Sequence, residues 1–218
     1  MTEWLLQTDT DLLLFVNGQH TGYWDTFMWL CSGRLEWLAL YAALLYVLWR
    51  NYGWRTLLWM LLAIGMMMLL TDTLLSQVIR PAIGRMRPSN PHNALSSMVH
   101  IVDNYRGGRF GFPSSHASNS WGLVMFVSCV LRRRLLICFL ALWALLLCYS
   151  RMYLGVHYPG DLLSGTLYGL LCGFLVYCLL VRVIHFRPVE QPMLCWLPVL
   201  VGMTSLIMFL ASSIFIKV

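Results

Sequence analysis

The sequence predicts an all-α integral-membrane bundle of about six transmembrane helices, preceded by an N-terminal interfacial helix. Three observations carry this. Of 218 residues, 59% are hydrophobic and only 11% are charged, whereas a soluble domain carries roughly 25% charged residues. The apolar residues gather in runs close to the roughly 20 residues that cross a bilayer core. Inside lipid every backbone N–H and C=O must be paired internally, and continuous runs of this kind achieve that as helices. The length fits a single membrane-embedded domain over residues 1–218.

Residues 1–19 read as an amphipathic helix lying in the interface. Leu5, Leu6, Leu12, Leu13, Phe15 and Val16 fall mainly on one face, against Thr8, Asp11 and Asn17. Residues 20–36 are ambiguous: Trp24, Phe27, Met28, Trp29 and Leu30 fit a short membrane-dipping helix that Arg34 and Glu36 close. Spans are then expected over residues 35–50, 56–79, 115–131, 135–150, 161–182 and 193–214. Between the second and third lies a long loop, residues 81–112, rich in Pro and Gly. Loops of that length are usually functional or disordered. Residues 1–12 carry Glu3, Asp9 and Asp11 and lack a basic start, so no cleavable signal peptide is expected and the first span serves as the targeting signal. The seven cysteines lie in or beside apolar stretches without a CxxC spacing and read as small packing residues. Trp24, Trp37, Trp54, Tyr149, Tyr153 and Tyr158 read as an aromatic belt.

The net charge is +6, yet Lys217 is the sole lysine. A nucleic-acid reader shows a basic face with far more lysine, so no nucleic-acid partner is expected. Arginine suits phosphate: its planar fork binds oxygens in pairs and does not lose its proton. Plain arginine connections (Arg50 with Arg55, Arg132 to Arg134, Arg182 with Arg187) alternate with connections that hold polar clusters. The positive-inside rule puts the former in the cytoplasm and the clusters outside.

Three such clusters interrupt the apolar chain. Arg80-x6-Arg87-Pro88 comes first; its arginines are two helical turns apart, fit either to clamp an anion or to snorkel to the interface. Arg85 and Arg106 read as snorkelling. Pro113-Ser114-Ser115-His116 opens a helix, with Ser114 as N-cap; free N–H groups there make an anion site, or the motif is an ordinary capped start. Ser150-Arg151-x5-His157-x3-Asp161 is the third. Its His/Asp spacing lets a carboxylate hold one imidazole nitrogen and leave the other free as nucleophile or base. Asp72, inside a span, is expected to bond internally or pair with Arg80. His92, His100 and Asp103 read as head-group contact or loop polarity rather than zinc ligands.

Together, and in this order, the clusters resemble the three signature motifs of the phosphatidic acid phosphatase type 2 family, which also includes acid phosphatases and vanadium haloperoxidases. The resemblance spans about Arg80 to Asp161. Two positions depart from it: Arg80 stands where the family usually has lysine, and Ser115 where it usually has glycine. The resemblance implies that His157 attacks phosphorus to form a phosphohistidine, that Asp161 orients the imidazole, and that His116 protonates the leaving oxygen and then activates water. Arg80, Arg87, Arg151, Ser114 and the Ser115 N–H would hold the phosphoryl oxygens. No carboxylate cluster offers a Mg²⁺ site, so neither metal nor cofactor is expected. The implied protein is a multi-pass phosphatase of the bacterial inner membrane, its site facing the periplasm. Substrates that fit are undecaprenyl diphosphate, phosphatidylglycerophosphate, phosphatidic acid or a lipid A phosphate. A phosphotransferase using the same intermediate, or an anion transporter without a nucleophile, is the alternative.

Overall fold

The computed structural model describes residues 2–186 and 189–216; Arg187 and Lys217 lie outside them. Among the described residues, eight α-helices follow in order: α1 (Thr2–Asn17), α2 (Gly22–Ser32), α3 (Leu38–Met68), α4 (Arg80–Ile83), α5 (Ser115–Leu131), α6 (Arg134–Tyr153), α7 (Pro159–Val183) and α8 (Trp196–Phe215). A π-helix, Leu69–Ile79, joins α3 to α4. Among the described residues, four helical stretches are long and apolar enough to cross a membrane: Leu38–Ile83, Arg134–Tyr153, Pro159–Val183 and Pro192–Phe215.

The first of these folds back on itself. Gly53 adopts φ 76°, ψ 168°, a left-handed conformation that suits glycine and breaks α3. Beyond the two arms, Arg34 meets Asp72 at 3.7 Å, whereas a straight helix would hold them roughly 57 Å apart. The arms are therefore an antiparallel pair, turned at the end that carries Arg50 and Arg55. Asp72 thus pairs with Arg34 rather than with Arg80, whose guanidinium is turned toward Pro113.

Helix α5 has 17 residues, a little under the roughly 20 of a full crossing. It compensates by being enclosed: Ala117, Ser118, Ser120, Gly122, Val124, Phe126, Val127 and Val130 are all buried. Its partner is α7, whose Gly165, Gly169 and Gly173 lie against the backbone of Ser114, Ser118 and Gly122. Small residues at four-residue spacing let two helices approach closely in a membrane, where packing rather than water exclusion drives association. A core of α3, α5, α6 and α8 side chains fills the rest, including Leu40, Leu44, Phe126, Leu140, Trp143 and Phe209.

Several expectations change. Helix α1 does not keep a single apolar face for lipid. Leu13 packs inward and Asn17 is buried, donating to Tyr153 O (2.7 Å) and His100 O (3.0 Å), while Trp4, Leu5, Leu6, Leu12 and Phe15 stay exposed. Residues 22–32 do form a helix, with Asp25 buried against the Tyr153 hydroxyl (2.7 Å) and His100 Nε2 (3.0 Å). Tyr153 and His100 therefore tie the site-side loop to α2, and neither serves as a belt or loop polarity. Trp37 is buried too, edge-on to Trp143 and Phe209, with its N–H donated to Cys31 O. Trp24, Trp54 and Tyr149 remain exposed, as an aromatic belt requires. Of the cysteines, Cys31, Cys148, Cys172 and Cys195 are buried packing residues, while Cys138 is exposed.

Candidate active site

The three clusters meet at one end of the bundle, where α4, α6 and the starts of α5 and α7 converge. Helix α4 ends at Gly84 in a left-handed turn (φ 71°), so Arg80 and Arg87 do not share a helix face. Arg80 sits on α4, and its Nε donates to Pro113 O (2.8 Å). Arg87 comes from the loop, held by Arg87 N to Arg109 O (3.2 Å) and by the pairing of Met86 with Phe110. Arg106 also belongs to this loop rather than to the interface, donating to Ser89 O (2.8 Å) and Ser96 Oγ (2.9 Å).

Asp161 lies in the first turn of α7, and its Oδ2 accepts from Tyr158 N (3.1 Å) and faces His157 Nδ1 (3.3 Å). Arg87 Nη1 stands 2.8 Å from His157 Nε2 and also donates to Val156 O (3.1 Å). A guanidinium only donates, so Nε2 is the acceptor and the proton sits on Nδ1, toward the carboxylate. Gly111 closes the pair from above: a Cβ there would come within 2.8 Å of Asp161 Oδ2. Ser114 N donates to Asp161 O (2.9 Å), which fastens the start of α5 to that of α7.

Arg151, at the end of α6, donates through Nη2 to the Tyr105 hydroxyl (3.0 Å) and through Nη1 to Ser32 Oγ. Ser150 is a helix-end polar group, donating to Leu147 O. Ser114 takes the N-cap position, but its hydroxyl makes no capping bond. Among the described residues, Ser114 Oγ, Ser115 Oγ, Arg80 Nη2 and Arg151 Nε are buried without a hydrogen-bond partner. Buried polar atoms are nearly always paired, so these four orphans, all within the three clusters, make the clusters a candidate anion site. The charges agree: Arg80, Arg85, Arg87 and Arg151 gather with Asp9 and Asp161, and burial first, then the charges of Arg151 and Arg80, lower the Arg87 pKa. Among the described residues, no three His, Cys, Asp or Glu side chains group to hold a metal ion.

His116, in the first turn of α5, borders two cavities. One, of about 340 Å³, is lined by Trp29, Arg34, Glu36, Tyr105 and Arg151. The other, of about 540 Å³, runs between the arms of α3 and is lined by Leu44, Leu48, Leu61, Ile64, Leu123 and Trp143. A polar head and an apolar tail would thus part at His116.

Burial, then the charges of Arg87, Arg151 and Arg80 with His116 beside them, hold His157 well below its usual histidine range. The unfolded chain binds a proton at about pH 6.5 where the folded one does not, so stability falls as pH drops below that value. ¹⁵N-histidine spectra, assigned with His157→Asn, are expected to show a neutral His157 at pH 6; a midpoint above 6.5 contradicts this.

Similarity to known proteins now bears on the pocket. The sequence model of the PAP2 superfamily matches residues 56–184, which include all three clusters. The chain belongs to the PAP2 superfamily. Lipid A 4'-phosphatase of Bacteroides thetaiotaomicron is 46% identical over 177 residues, covering 81% of this chain and 79% of that protein. Lipid A 4'-phosphatase of Porphyromonas gingivalis is 32% identical, covering 80% and 74%. The crystal structure of the PAP2-type phosphatidylglycerolphosphate phosphatase of Bacillus subtilis superposes with TM-score 0.62 at 25% identity, covering 84% and 89%. This PAP2 protein is a multi-pass membrane lipid phosphatase, a hydrolase of phosphate esters.

Side chains that the sequence pattern did not mark also belong to the site: Ser32, Tyr105, Arg34, Asp9 and Arg85. The one available signal was charge. Arg85 and Asp9 sit in or near apolar segments, where an ionised side chain needs a partner.

Proposed function

We propose that the protein removes a phosphate from lipid A by way of a phosphohistidine. The observation that carries the chemistry is the oriented His157: Nδ1 faces Asp161 and Nε2 points at Arg87, and the same three clusters carry the unpaired donors. Nε2 attacks phosphorus, and the bond from phosphorus to the lipid oxygen breaks. His116 gives its proton to that oxygen. It then takes a proton from water, whose oxygen attacks phosphorus and releases phosphate from Nε2. Arg80, Arg87 and Arg151, with Ser114 and the Ser115 N–H, hold the phosphoryl oxygens; phosphoryl transfer needs mainly positioning and charge. Arg80 keeps the charge of the lysine usual at its position. Ser115 adds a hydroxyl where the family usually has glycine, and that hydroxyl is one of the unpaired groups.

The two relatives named for lipid A support the substrate, each at 30% identity or above over about four-fifths of this chain. The apolar cavity beside His116 supports an acylated one. The arginines at the opposite end, Arg50, Arg55, Arg132 and Arg133, support an inner-membrane setting with the site toward the periplasm.

Phosphate release is measured in detergent with EDTA, from lipid A, undecaprenyl diphosphate, phosphatidylglycerophosphate and phosphatidic acid. Lipid A is expected to lead in kcat/KM by about tenfold or more, ~1.4 kcal/mol of transition-state binding, with EDTA without effect. A faster reaction on another lipid overturns the substrate, and loss of activity to EDTA overturns the metal-free route.

A further inference from the structure

Asp161 has a second set of partners behind His157. Arg85 Nη1 donates to Asp161 Oδ1 (2.9 Å), and Arg85 Nη2 donates to Asp9 Oδ2 (2.5 Å) on α1. Asp9 Oδ1 in turn accepts from Gly160 N (2.6 Å), in the first turn of α7. The Arg85 guanidinium lies over the Tyr158 ring, 4.1 Å from its centre, and the Tyr158 hydroxyl accepts from Asn93 (3.1 Å). These groups are not surface decoration: the side chains of Arg85, Asp9 and Asp161 are 23%, 12% and 0% exposed. The expectation that Arg85 snorkels is thereby corrected. Its two nitrogens bridge two carboxylates, one of which is the partner of His157.

A carboxylate held at one oxygen alone can rotate about its last torsion. Tyr158 N and His157 share Oδ2, so Arg85 is what fixes Oδ1. Arg85 is itself fixed by Asp9, and Asp9 by the α7 backbone. The chain of contacts runs from an interfacial helix to the imidazole without a gap.

We propose that Arg85 and Asp9 are positioning residues for His157, acting through Asp161, and that α1 is by this route a working part of the active site. The inference rests on the phosphohistidine reading. Arg85 aligns the carboxylate and the carboxylate aligns the ring, so their loss slows attack on phosphorus without removing any group that touches the lipid. The kinetic signature is a fall in kcat with KM nearly unchanged.

The test compares Asp9→Asn, Arg85→Gln, Arg85→Lys and, as a control on the same helix, Asp11→Asn, whose side chain is exposed. Phosphate release from lipid A is measured in detergent beside His157→Ala. Asp9→Asn and Arg85→Gln are expected to lose about 10–100-fold in kcat, the range for outer-shell partners of an oriented histidine, with KM within about twofold. Arg85→Lys keeps the charge and recovers part of the loss, Asp11→Asn matches the parent, and the Asp9→Asn/Arg85→Gln double variant is no worse than Arg85→Gln alone. Wild-type kcat in Asp9→Asn, or a loss confined to KM, overturns the proposal. Asp9→Asn is nearly isosteric and decides the matter if Arg85→Gln does not fold. An active His157→Ala would instead overturn the phosphohistidine reading, so the two failures are told apart.

Discussion

His157→Ala is expected to abolish phosphate release, lowering kcat/KM by at least about 10⁴-fold, as the loss of a covalent nucleophile does elsewhere. The imidazole is fully buried, and its two nitrogens are engaged by Asp161 and Arg87. His116 borders the cavities and is suited to exchange protons with the leaving oxygen and with water, but phosphoryl transfer to His116 would leave no group for that task. Truncation leaves Asp161 with Arg85 and Tyr158 N as partners, so no carboxylate is stranded and the stability cost is about 1–3 kcal/mol. Two measurements check this. Phosphate release from lipid A must vanish while the melting transition in detergent persists. Radiolabelled phosphate, trapped on the wild-type chain in alkaline denaturant, must be missing from the variant. Substantial turnover in His157→Ala would sink the covalent mechanism and favour direct attack by water. An anion transporter, which needs no nucleophile, would likewise keep its function in this variant.

Lipid makes isolated charges costly, and this is why the clusters stood out in the sequence. Arg80, Arg151, His157 and Asp161 interrupt apolar runs, and the structure brings them to one end of the bundle. The helical runs were legible for the same reason, and so was the long loop, with its Pro and Gly. What escaped was pairing across distance. Arg151 meets Ser32 across 119 positions and Tyr105 across 46, while Arg85 meets Asp9 and Asp161 across 76 each. No local period reports such contacts. The spacing of Arg80 and Arg87 also misled: the left-handed turn at Gly84 ends the helix between them, and Arg87 reaches His157 from loop backbone. Trp37 and Tyr153 read as belt residues because aromatic rings suit interfaces and interiors alike, and only tertiary packing separates the two.

Gly169→Leu is expected to unfold the protein or leave it inactive, the second largest effect after loss of His157. A bare Cβ at Gly169 would stand 2.2 Å from Ser118 O and 2.8 Å from the Ser118 carbonyl carbon and Cα. These are backbone atoms, so no rotamer change relieves the clash, and α5 must move off α7. Even one methyl inserted into a tight core costs about 1–3 kcal/mol, and a leucine adds three more carbons in the same place. A Cβ added at Gly165 or Gly173 would likewise stand 2.4 Å from Ser114 O or Gly122 O, so the whole seam is comparably close and cannot pivot around one position. The chemistry is fastened to that seam. Ser114 N bonds to Asp161 O at one end of it, with His116 in the first turn of α5 and His157 two residues before α7. Parting α5 from α7 therefore separates the proposed acid from the proposed nucleophile even where the bundle survives. Gly65→Ala is the matched control, since a Cβ there meets nothing within 4 Å, and its better helix propensity is worth up to about 1 kcal/mol. Melting in detergent should fall sharply for Gly169→Leu and hold or rise for Gly65→Ala. A Gly169→Leu protein with wild-type melting and turnover would mean that the two helices do not meet along this stripe.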